Sequence, residues 1–204
     1  MSINELNLTI NRSNSINTIR ALGIIGMIFA PALYIGSFFR SADFEEPNAN
    51  QLFSSIFGVL YIGGAMASAI AVRRLRVTGN GAGATILFAV QTVGLFAAMW
   101  FDILEYAAPH LKESTIFFIT DMAYPFSHVL MIIVGIAVWR TGVWRGWRVV
   151  PPFLCGFALP SFFAASAIFG RENGSVVFPV LVTIGFFLLG LAVETTESNL
   201  KERS

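Results

Sequence analysis

Cysteine occurs once in this chain, at Cys155, and histidine twice, at His110 and His128. One cysteine excludes an intramolecular disulfide and any multi-cysteine metal cluster. Set in an apolar stretch, it reads as a small packing residue. A catalytic zinc needs three ligands at one point and an open fourth position, and two histidines without an HExxH pair leave that set short. The same shortage works against haem, because His110 falls in a loop and His128 deep in an apolar run. No serine stands in a nucleophile motif. The glycine-rich stretch Arg73–Gly83 has no Lys-Ser/Thr after it and no strand before it, so it is not a phosphate loop. Charge is scarce as well: 12% of residues are charged against 55% hydrophobic, and a net charge of +1 offers nucleic acid no basic patch.

Long uncharged runs take the place of all these. Ala21–Phe39, Leu52–Val72, Val77–Phe101, Val149–Gly170 and Asn173–Val193 each contain no charged residue. Each exceeds the roughly 18 residues that mark a spanning helix. A sixth run, Ser114–Arg140, is interrupted only by Asp121. The pattern predicts an all-α polytopic membrane protein, a six-transmembrane-helix bundle filling residues 19–195. Its helices are expected at 19–40, 52–74, 82–106, 114–140, 149–170 and 174–194. A polar arm, residues 1–18, precedes them, with a faint helical stripe at Ile3, Leu6 and Ile10, and a tail, 196–204, follows.

If six helices alternate, ten of the thirteen basic residues fall on one side, in the two termini and in the loops holding Arg73, Arg74, Arg76 and Arg140, Arg145, Arg148. The other side keeps only Arg40, Lys112 and Arg171, among Asp43, Glu45, Glu46, Glu113 and Glu172. By the positive-inside rule both termini are cytoplasmic, and the chain is a multi-pass protein of the cell membrane. Five or seven helices would scramble this bias.

The individual spans carry further signals. Gly64 with Ser68, and Ala65 with Ala69, are small-xxx-small pairs that place the second helix inside the bundle. Pro31, Pro125, Pro160 and Pro179 are expected to break four of the six spans. Three spans per half would permit an inverted repeat, although only Pro31 and Pro125 correspond. The loop Arg140–Arg148 interleaves Trp139, Trp144 and Trp147 with arginine, an interfacial anchor that suits anionic lipid.

The candidate site gathers the ionisable groups that lie within the spans. Seven residues at about 100° each bring His128 back to within about 20° of Asp121 on one helix face. At about 1.5 Å per residue the two are roughly 10 Å apart in depth, so they communicate only through water or another helix. On the third span Gln91, Asp102 and Glu105 share a stripe, with Gln91 the deepest. Ionisable groups at membrane depth mark pathways or sites. The expected function is therefore a small transporter-like or ligand-sensing bundle with an outward-facing polar pocket between the third and fourth spans. Asp121, His128, Asp102, Glu105 and Gln91 would line that pocket, and a small solute or proton would pass or bind. No catalytic residue, metal or cofactor is expected. The alternatives are an intramembrane metal-assisted hydrolase and a non-catalytic scaffold whose polar groups only hold helices together.

Overall fold

The computed structural model describes residues 3–39 and 48–202, and among these it contains helices and turns but no strand. The helices are α1 (Ile3–Phe29), α2 (Ala32–Ser37), α3 (Ala49–Arg74), α4 (Ala82–Ala107), α5 (Thr115–Thr141), α6 (Val150–Phe169), α7 (Arg171–Ser175) and α8 (Val177–Glu202). Six stretches are long and apolar enough to cross a membrane: Ile16–Ser37, Ala49–Arg74, Ala82–Ala107, Thr115–Thr141, Gly146–Phe169 and Val177–Thr196. The first of these joins α1 to α2, and α7 is a short turn between two spans. The chain is thus an all-helical membrane bundle of six spans.

Each span packs on the next one in sequence, and the last closes on the first: α1 on α3, α3 on α4, α4 on α5, α5 on α6, α6 on α8 and α8 on α1. Short connections favour such neighbours. The outcome is a closed ring, with α3 also reaching α8 across it. One end of the ring collects the arginine-bearing turns and the other collects Asp102, Glu105 and the first turns of α3 and α5. These are called here the arginine end and the carboxylate end.

The second span, α3, is the most enclosed, with 61% of its most apolar window buried against 28–44% in the other five. Small residues are the cause, because helices in lipid associate by close packing rather than by apolar burial. A Cβ built on Gly64 would stand 2.7 Å from Phe29 Cβ of α1, and one on Gly26 would collide with Ser68. Between α1 and α8, a Cβ on Gly23 would meet Val193 at 2.9 Å. Cys155 is fully buried, and its thiol packs against Gly185 of α8.

Local chemistry accounts for most of the element ends. Asn48 caps α3, its side chain accepting from Gln51 N at 2.9 Å. Ser114 caps α5 by accepting from Phe117 N at 3.3 Å. Gly142, with φ 62°, ends α5 in the left-handed conformation. Pro151 and Pro152 occupy the first turn of α6, where proline costs no hydrogen bond.

Two expectations about the elements need correction. Of the four prolines expected to break spans, only Pro31 does, at the turn between α1 and α2. Pro125 and Pro160 lie within continuous helices, and Pro179 falls in the first turn of α8, where its missing N–H would have had no helical partner. Neighbouring helices support the backbone on both sides of a proline in lipid, so one lost bond need not end a helix. The helix also begins earlier than the arm suggested: α1 starts at Ile3, and α8 runs through most of the tail to Glu202. The acidic connection with Arg40, Asp43, Glu45 and Glu46, like Arg203, lies outside the described residues.

Candidate functional site

The centre of the ring is aromatic, and an imidazole sits in it. His128 lies at the middle of α5 and is 2% exposed. Its Nδ1 is 2.9 Å from the carbonyl oxygen of Tyr124 and its Nε2 is 3.0 Å from the hydroxyl of Tyr61 on α3. A carbonyl can only accept, so Nδ1 carries the hydrogen. In the neutral ring Nε2 is then the acceptor, and Tyr61 donates to it. Phe178 and Phe186 of α8 complete the enclosure: the imidazole lies 5.1 Å from the Phe178 ring, and Tyr61 meets Phe186 edge-on at 5.6 Å. The three helices that supply this cluster, α3, α5 and α8, are alternate members of the ring.

A polar face of α3 leads from this centre to the carboxylate end. Gln51, Ser55, Gly58 and Tyr61 recur at helical spacing, and all four are buried. Gln51 Nε2 donates to the backbone oxygen of Glu105 at 2.7 Å, tying α3 to α4. One helical turn deeper, Asp102 of α4 lays its carboxyl on Gly58. A Cβ there would come within 2.5 Å of the carboxyl carbon, so any larger residue must displace the carboxyl. The Tyr124 ring lies 6.3 Å from that of Tyr61 and 4.8 Å from the imidazole of His128. The sequence of groups inward is thus Glu105 and Gln51, then Asp102 at Gly58, then Tyr61 and His128.

The expected site residues are distributed accordingly. His128 is hydrogen-bonded to Tyr61, and Asp102 rests on Gly58, one helical turn from Tyr61 along α3. Glu105 is buried at 6% exposure nearer the end of the bundle. Gln91 is 1% exposed, and its Oε1 has no hydrogen-bond partner. Asp121 is only half-buried, unlike His128 on the same helix. The α4–α5 seam beside these groups is tight: a Cβ on Gly94 would stand 2.7 Å from Ser127 Oγ, and the rings of Phe101 and Phe117 are 4.9 Å apart. His110 is exposed in the loop turn Pro109–Leu111, a full half-helix away from His128. Among the described residues no three His, Cys, Asp or Glu side chains converge on one point that a metal could share.

Sequence reasoning missed Tyr61, Tyr124 and Gly58. For Tyr61 a signal was present, since tyrosine in membrane helices favours the interfaces and this one lies at mid-span. A phenol at that depth needs an acceptor. Nothing in the sequence points to Gly58 among the other glycines of α3.

The fold and site together define a class: a six-span helical membrane bundle closed around a phenol–imidazole pair. Compared with protein-family models, curated proteins and solved structures, the chain matches none of them.

Proposed function

We propose that the chain is a small transporter-like bundle in which His128 exchanges a proton with groups reaching it from the carboxylate end. The observation that carries this reading is the hydrogen bond between Tyr61 Oη and His128 Nε2 at mid-depth, where lipid surrounds the bundle. A proton delivered to Nε2 turns that nitrogen from acceptor to donor. The Tyr61 hydroxyl must then rotate and give its own hydrogen to another acceptor. Asp102, housed at Gly58 one helical turn from Tyr61, is the acceptor this reading assigns to that role. Protonation thereby changes a contact between α3 and α5, which is the kind of two-state element that opens one face of a bundle and closes another. Glu105 and Asp121 lie towards the carboxylate end and Gln91 beyond His128, and because the α4–α5 seam is packed, a proton or small cation would enter only when that seam parts.

The arginine end is assigned to the cytoplasm and the chain to the cell membrane, on the positive-inside rule. Single cysteines placed in the Arg73–Gly79 turn should label only from the cytoplasmic side, with little background from the buried Cys155. Labelling from outside would reverse the direction of the proposed route.

The functional test is reconstitution into liposomes under an imposed pH gradient, read with a trapped pH-sensitive dye. The intact protein should dissipate the gradient, while Tyr61→Phe slows it and His128→Gln abolishes it. Equal rates for all three, or for protein-free vesicles, would remove the mechanism. A second reading has its own support: both imidazole nitrogens are engaged and the ring is closed in, as in a purely structural contact. On that scaffold reading the same substitutions lower stability and move no protons.

A further inference from the structure

At the arginine end, away from the phenol–imidazole pair, the structure holds a cleft of 630 Å³ between the last turn of α5, the following loop and the first turns of α6. Its volume falls within the ~300–1,000 Å³ usual for small-molecule sites. Two glycines in left-handed conformation build it. Gly142 (φ 62°) and Gly146 (φ 61°) turn the chain so that Trp144 folds inward, at 2% exposure, while Arg145 stays outside. Arg145 Nε donates to Gly142 O at 3.3 Å, which bends the guanidinium back over the cleft. The remaining walls are apolar: Val149, Val150 and Phe153 of the α6 side and the exposed ring of Trp139. Trp144 Nε1 is enclosed in this wall and has no acceptor. A buried indole N–H is ordinarily paired, so an acceptor is missing here.

We propose that this cleft binds one anionic phospholipid, with its phosphate between Arg145 and the Trp144 indole and an acyl chain along Val150 and Phe153. Charge complementarity selects the headgroup: a guanidinium and an indole with an unpaired N–H line the same cleft, and no acidic side chain lines it. The apolar wall selects a lipid over a free phosphate, because it continues onto the exposed face of a membrane span. Trp139 and Arg145 are both exposed at the mouth of this cleft. This site is independent of the proton route.

The test is native mass spectrometry of the full chain in detergent, titrated with phosphatidylglycerol, phosphatidylcholine or glycerol phosphate. Phosphatidylglycerol should be retained about tenfold more tightly than phosphatidylcholine, the scale of one charge-assisted contact. Arg145→Gln should erase that preference and Trp144→Phe, which keeps the ring and removes only the donor, should weaken retention severalfold. Arg140→Gln, a charge outside the cleft, should leave the preference intact. Equal retention of both lipids, a preference that survives Arg145→Gln, or an equal loss in Arg140→Gln would overturn the proposal. Glycerol phosphate binding as well as the lipid would replace it with a soluble-anion site.

Discussion

Along α3 two kinds of seam lie end to end. Towards the arginine end the helix meets α1 through Gly64 and Ser68, where atoms fixed to the backbone come into direct contact. Towards the carboxylate end it meets α4 and α5 through Gln51, Gly58 and Tyr61, where flexible polar side chains fill the space. The first seam can only fit or clash. The second can rearrange, because a carboxyl can swing and a hydroxyl can rotate. A helix that is rigid at one end and adjustable at the other is suited to hold a bundle together while one contact within it changes state.

Substitutions along α3 and its partners separate these seams, and unfolding in mixed micelles measures each one. Gly64→Leu should cost the most, about 3 kcal/mol, because Phe29 Cβ cannot move without its backbone. A midpoint close to the unaltered protein would mean that the α1–α3 seam yields after all. His128→Ala comes next, at about 2–3 kcal/mol, since it opens a cavity among the rings and leaves the Tyr61 hydroxyl without its acceptor. A loss well below 1 kcal/mol would show that the centre repacks freely.

Gly58→Ala should cost only about 1 kcal/mol, because the clash is with the far end of the Asp102 side chain. Its proton flux should nevertheless fall, since the carboxyl is displaced from its place on α3, and unaltered flux would detach Asp102 from the route. Gly63→Ala should be the mildest. Nothing lies within 4 Å of that position, and alanine favours the helix by about 0.5–1 kcal/mol. A clear destabilisation there would contradict the packing described for α3.

Much of this was legible in the sequence, and for identifiable reasons. Apolar length is a local property, so uncharged runs such as Leu52–Val72 and Asn173–Val193 already mark their spans. The small residues of α3 announce a close-packed helix without naming the neighbour. His128 stands out because an imidazole at mid-span is costly unless paired. Its pairing was not legible. Asp121 shares its helix face but lies too far along the helix to touch it, and the contact is made by Tyr61 of another helix, 67 residues away in sequence. The prolines misled in the same manner: Pro125 and Pro160 carry an intrinsic tendency to break a helix, and packing on both sides overrides it.

By itself, then, the sequence determined the number of spans, their order and the end at which arginine collects. Those features follow from what lipid and its interface demand of each segment separately. The closing of the ring, the placing of Asp102 on Gly58 and the choice of Tyr61 for His128 were decided by tertiary structure alone. Each depends on which helix faces stand within a few ångströms of one another, and that is a property of the packed set of helices, not of any one of them.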